Sequence, residues 1–211
     1  MKQKLLCRYL LCFLCLFFIT GIITVICIST PDKIKPRILD KSVTDRILVG
    51  DLVLREGNSS QSQDIAHFSG SPFSHIGIIT SAGDEITVTH ASNDEETNEA
   101  VSETTLNEFL SEDLALRARI IRLNNLPVDV REKIASNAKQ KIGMKFHLVT
   151  DNMQGSEKRL YCTTLIYDAI RLELPEFSLK WTTINMPPFK GSFLMPSAFL
   201  ETDHEIINSF E

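Results

Sequence analysis

Twenty consecutive uncharged, mostly apolar residues, Tyr9–Ile28, follow Lys2, Lys4 and Arg8. A helix of that length reaches about 30 Å, the thickness of a bilayer's hydrocarbon core. This run divides the chain before any fold is considered. Positive charge ahead of it predicts a cytoplasmic N-terminus. Everything after Thr30 then lies on the exported side of the inner membrane, periplasmic or extracellular. Two readings stand, a single-pass anchor and a cleaved signal peptide. The length favours the anchor, and Cys27-Ile28-Ser29 is a fair match to the small-residue cleavage pattern. Ile26 before Cys27 argues against lipidation. The organisation expected is a membrane segment over 1–30, a charged, Pro-containing linker over 31–45, and one folded domain over 46–211.

The remainder is composed like a globular domain, since the chain is 43% apolar and 23% charged. Net charge is −5, and three of the 22 basic residues precede the apolar run, so the exported part is more acidic still. That balance excludes nucleic acid as the main partner. Of five cysteines, Cys7, Cys12, Cys15 and Cys27 belong to the N-terminal segment. Cys162 stands alone in the exported part. It has no disulfide partner there, although exported compartments favour disulfides.

Apolar and β-branched runs predict strands at Arg46–Arg55, with an irregularity at Gly50-Asp51, at 74–81, at 85–92 and at Leu116–Leu123. Gln61–Phe68 reads as a short helix. Thr105 and Glu108 form a capping box opening another. Pro127–Ile142 reads as a helix closed by Gly143. Cys162–Leu172 carries an apolar stripe at helical spacing through Leu165, Ile166, Ala169 and Ile170. The segment after Pro175 is expected to wrap the domain with little regular structure. Strands first and a late helix indicate an α+β domain, an antiparallel sheet or small barrel packed on helices.

Cys162 opens its helix, where unsatisfied N–H groups and the helix dipole favour a thiolate. A buried, inert cysteine is the plain alternative. A nucleophile also needs a base held by a third group. With Ala82-Gly83 as a two-residue turn, the 74–92 hairpin sets His75 opposite His90 on one face, with Cβ atoms about 5 Å apart. One imidazole can take the thiol proton while the other fixes its tautomer. The same three residues could instead supply a zinc site with an open position.

Four stretches in order, GDLVLREG, SPFSHIGIIT, VTHAS and RLYCTTLIYDA, resemble the permuted papain-like amidases of the YiiX/YaeF type, within the NlpC superfamily. LMPSAFLETD is similar to that family's C-terminal segment. The resemblance implies a circularly permuted papain-like fold with Cys162 as nucleophile, His75 as general base and His90 as orienting residue. It makes Tyr161, Thr163, Ser74 and His147 candidate oxyanion or substrate contacts. Two positions depart from the pattern: Thr163 stands where Ser is commoner, and His147 stands where relatives tend to carry Asp. Lipid-acting acyltransferases share the permuted order but carry an Asn-Cys-Glu-His type of motif. Here the sequence is Tyr161-Cys162-Thr163-Thr164.

The function expected is therefore a membrane-tethered cysteine hydrolase. It needs no cofactor and cleaves an amide in a peptide or peptidoglycan stem through a thioester. Lipid ester or amide chemistry on the same residues, and an inactive binding module, are the alternatives.

Overall fold

The computed structural model describes residues 35–92, 101–145, 160–186 and 189–210. Its strands are β1 (Leu52–Glu56), β2 (His75–Ser81), β3 (Thr87–Ala91), β4 (Val101–Thr105), β5 (Arg117–Leu123), β6 (Thr182–Met186), β7 (Phe189–Phe193) and β8 (His204–Phe210). Six of them form one antiparallel sheet in the order β4-β3-β2-β1-β5-β8, while β6 and β7 make a separate hairpin. The helices are α1 (Lys41–Thr44), α2 (Ser60–Ser69), α3 (Leu106–Phe109), α4 (Val128–Lys139) and α5 (Cys162–Glu173), and a 3-10 segment covers Pro196–Glu201.

Alternation along the strands supplies two apolar faces. Leu52, Leu54, Ile76 and Ile78 face Ile134, Ala135 and Ala138 of α4 and the Leu165, Ile166, Ala169 and Ile170 stripe of α5. Val53, Ile79, Val88 and Ile120 face Ile47, Leu106, Phe109 and Leu110 on the other side. The expected antiparallel sheet packed on helices is thus present. Local signals set the helix ends. Ser59 Oγ accepts the Ser62 N–H at the start of α2, and Gly70 ends it at φ +62°. Both halves of the Thr105–Glu108 capping box are formed, at 3.1 and 3.2 Å.

The Gly50-Asp51 irregularity is the scaffold's main fixture. Asp51 is fully buried. Its carboxylate accepts the Leu48 N–H at 2.9 Å and a two-pronged Arg122 guanidinium at 2.7 and 2.8 Å. Arg131 of α4 approaches it to 3.9 Å. Gly50 has φ +89°, and a Cβ there would lie 2.7 Å from Arg131 Cβ. The turn over 48–51 is why the first strand begins at Leu52 and not at Arg46.

Three expectations are corrected. The 74–92 hairpin pairs Gly77 with His90, two positions from the expected register. The connection is longer than an Ala-Gly turn, and the pairing shifts between Ile79 and Ser81. A displacement of two keeps every side chain on its face, so the two histidines stay on one side. Val101–Thr105, which carries no strand prediction, is the edge strand β4. Its Ser-Glu-Thr-Thr run is too polar to reveal a strand that is half-covered on both faces. The segment after Pro175 holds three strands, including β8, which extends the sheet beside β5. Its Pro and Phe content masks that pairing. The N-terminal segment 1–30 and residues 31–34 of the expected linker lie outside the described residues, whereas 35–45 are described and place Leu39 and Val43 against the core.

Candidate active site

Four elements converge at the end of β2. Arg55 of β1 stands directly opposite His75 in the register. His90 comes from β3, and α5 brings Cys162 in its first turn. Glycine opposite His90 is a steric requirement, because a Cβ on Gly77 would sit 2.4 Å from Val88 Cγ1 and 3.3 Å from both His90 Cβ and a Phe109 ring carbon. Gly77→Ala is therefore expected to destabilise the domain by about 1–3 kcal/mol, the usual cost of overpacking. It should also disturb the histidine pair. Urea denaturation checks the first effect, and an unchanged midpoint would refute this packing.

His75 Nε2 lies 3.1 Å from His90 Nδ1, with the rings edge to face. Phe109 packs against both imidazoles, at ring-centroid distances of 5.5 and 5.1 Å. Burial, then the Arg55 charge, then His90 hold the His75 pKa well below its usual value. Burial and Arg55 lower His90 to about 3. Both rings are therefore neutral near pH 7, and one proton joins them. The bond to His90 leaves His75 Nδ1 as the nitrogen open to a thiol proton.

Burial pushes the Cys162 thiol up to about 11, against the N–H groups of Ile76, Thr163 and Cys162 itself and the Arg55 charge, all of which favour thiolate. Near pH 7 Cys162 is therefore a thiol and His75 a neutral imidazole. Ile76, whose N–H is aimed at Sγ, is the residue after His75. Among the described contacts no hydrogen bond joins Sγ to His75. Catalytic hydrogen bonds are often long until substrate closes the site.

Native histidines that resist protonation make stability depend on pH. Unfolded imidazoles take up protons near 6.5, while His90 does so only near 3. Stability is therefore present above about pH 6.5 and declines as pH falls toward 3. Urea melts between pH 7 and 4 are expected to show a shallower decline for His90→Gln than for the wild type. Equal slopes would contradict the buried neutral pair.

Cys162 sits where two cavities meet. One is an apolar slot of about 60 Å³, walled by Ile65 and Phe68 of α2 and by Ile184, Phe193, Leu194 and Met195 of the β6–β7 hairpin and its exit. The other is a more polar cleft of about 220 Å³ that reaches Arg55, His75, Asn58 and Ser59. Ser74 and Tyr161 line both. Ser74 Oγ accepts the Gly57 N–H at 3.0 Å, pinning the loop between β1 and α2. The Tyr161 hydroxyl accepts the Leu194 N–H at 2.9 Å, and Thr163 Oγ1 donates to the Leu194 carbonyl at 2.7 Å. These two side chains hold the slot wall against α5. The Thr163 backbone N–H is the group it turns toward Sγ. His147 lies outside the described residues.

Sequence reasoning singled out the cysteine and both histidines. It missed Arg55, Phe109 and the β6–β7 hairpin. Arg55 had a readable signal, a charge ending the apolar run Leu52–Leu54 on the strand beside His75.

Comparison with known proteins agrees with this fold. A family model described as "Permuted papain-like amidase enzyme, YaeF/YiiX, C92 family" matches residues 46–184. The crystal structure of metalloprotein yiiX from Escherichia coli O157:H7 superposes with a TM-score of 0.61 at 19% identity, covering 79% of this chain and 98% of that one. At that identity the likeness speaks for the fold. No curated protein sequence matches the chain.

Proposed function

The chain belongs to the permuted papain-like amidases of the YaeF/YiiX type, and from that premise we propose that Cys162, His75 and His90 carry its hydrolysis of an amide in a peptide or peptidoglycan stem. The observation that supports this reading is the 3.1 Å His75–His90 pair, whose His75 opens on the same cleft as a cysteine at a helix N-terminus.

The chemistry runs in two halves. His75 Nδ1 takes the Cys162 proton as Sγ attacks the carbonyl carbon. The imidazolium keeps its Nε2–H on His90 Nδ1, which the low basicity of His90 maintains as an acceptor. The Cys162 N–H, unsatisfied at the start of α5, is the donor offered to the developing oxyanion. Collapse of the tetrahedral adduct breaks the C–N bond, and the amine leaves with the proton from His75. Water then attacks the thioester, giving its proton to His75. The carboxylic acid departs and the thiol re-forms.

The slot's size favours an amino-acid side chain beside the scissile bond. A dry cavity of about 150 Å³ holds benzene, so about 60 Å³ suits a group of a few carbons. The slot's apolar walls also favour a second reading, ester or amide hydrolysis or acyl transfer on a lipid. Tyr9–Ile28 supports a site tethered on the exported side of a membrane. Soluble peptide or wall fragments are expected to be turned over and lipid vesicles not. Turnover of vesicles alone would reverse the two readings.

The structural neighbour is described as a metalloprotein. The described residues do not supply a donor set for that role. The facing nitrogens of His75 and His90 bind each other. Among the described residues no three His, Cys, Asp or Glu side chains converge as a ligand set.

A further inference from the structure

Among the described residues, Arg55 is a cation without a counter-ion at the mouth of the site. Arg122 and Arg131 face Asp51, and Arg117 faces Glu56; Arg119 of β5 also joins no ion pair and lies over the Phe73 ring, but it does not line the cleft. Arg55 joins none of the ion pairs among the described residues. Its Nη1 donates to the Phe109 carbonyl at 2.7 Å, and its guanidinium lies over the Phe109 ring at 4.5 Å. Its Nε is buried with no hydrogen-bond partner. Phe109 thus fixes the guanidinium in one place without neutralising it.

A partly buried, unpaired charge is costly to keep. The described residues around it do not repay that cost. Cys162 is a neutral thiol at rest, and the two histidines are neutral and disfavoured as cations by Arg55 itself. What remains is the cleft, which opens beside Arg55, His75 and Cys162 and has polar walls at Asn58, Ser59 and Ser62. A guanidinium is suited to a carboxylate, which it can hold with two parallel hydrogen bonds.

We propose that Arg55 is the substrate-carboxylate anchor of this cleft, so that the amide cleaved carries a free carboxylate within a few bonds of the scissile carbon. The proposal rests on the cysteine-hydrolase reading and names its substrate class. It makes Arg55 specificity-determining: acidic fragments are selected, and their neutral amide or ester counterparts are disfavoured.

A pair of alkylating reagents of matched size tests this without a known substrate. Iodoacetate and iodoacetamide both react by displacement of iodide by Sγ, with loss of the thiol proton. They differ in that one carries a carboxylate two bonds from the sulfur it joins. The full-length chain is treated with each, and Cys162 modification is followed by mass spectrometry on the Leu160–Arg171 peptide. The readout is the ratio of the iodoacetate rate to the iodoacetamide rate, divided by the same ratio for free cysteine. General effects on thiol reactivity cancel in it.

The wild type is expected to exceed free cysteine by about tenfold, the scale of a hydrogen bond to a charged group. Arg55→Gln should fall to the free-cysteine value, with Arg55→Lys between the two. A wild-type ratio no higher than that of free cysteine, or one that Arg55→Gln leaves unchanged, overturns the proposal. Lys keeps the charge if Gln perturbs the packing on Phe109. Failure of the hydrolase reading shows separately, as full hydrolytic activity in Cys162→Ala.

Discussion

Cys162→Ala is expected to lower amide hydrolysis by a factor on the order of 10⁴ or more, the scale seen when a covalent nucleophile is removed. The same substitution should hardly touch the fold. Its helix is seated by Leu165, Ile166, Ala169 and Ile170, all buried against the sheet. Only one buried sulfur is lost, worth about 1 kcal/mol by analogy with a methylene. Activity on a peptide-amide library and a urea melt, run on the same preparation, separate the two effects. A variant that unfolds, or one that stays active, would deny the division of labour described above, with helix α5 as the seat and the sulfur as the reagent.

The second large effect lies away from the chemistry. Asp51→Ala is expected to destabilise the domain by about 3–5 kcal/mol, the cost of breaking a buried ion pair from one side. Its carboxylate is fully buried, and it ties Leu48, Arg122 and Arg131 to one point. Removal leaves two guanidinium groups facing an empty position. It also frees the turn that starts β1, the strand carrying Arg55 opposite His75. Replacing Asp51 and Arg122 together by apolar residues should recover much of the loss. Denaturation midpoints measure this, and a shift below about 1 kcal/mol for the single variant would contradict it. The Gly-Asp pair in GDLVLREG therefore owes its place to scaffolding. Gly50 allows α4 to approach, and Asp51 satisfies what that approach buries.

The elements that could be read from sequence were those whose signal is local. The α5 stripe, the Thr105 capping box and the alternation through His75–Ser81 each depend on residues a few positions apart. The face shared by His75 and His90 was also legible, although the register was not. Period-two alternation fixes the face, whereas the register depends on the bulge at Ile79–Ser81, which no residue between Thr80 and Glu85 announces. Strand β8 escaped because its partner β5 lies far back along the chain, and β4, which pairs with the neighbouring β3, because its polar run buries only part of its surface. The site's electrostatics escaped for the same reason. Arg55, Phe109 and the two histidines meet only after β1, β2, β3 and α3 have packed. The neutral state of the imidazoles comes from that packing and not from any motif.

The most direct test of the central claim is capture of the acyl-enzyme. The full-length wild type, Cys162→Ala and His75→Ala are each mixed with an activated N-acyl amino-acid ester and quenched in acid. Intact mass and the Leu160–Arg171 peptide are then measured. The account predicts an acyl adduct on Cys162 in the wild type that hydroxylamine removes, as it does a thioester. It predicts no adduct at that peptide in Cys162→Ala and at least about a hundredfold slower formation in His75→Ala, the scale of general-base assistance. An absent adduct in the wild type, or equal acylation in His75→Ala, would contradict it.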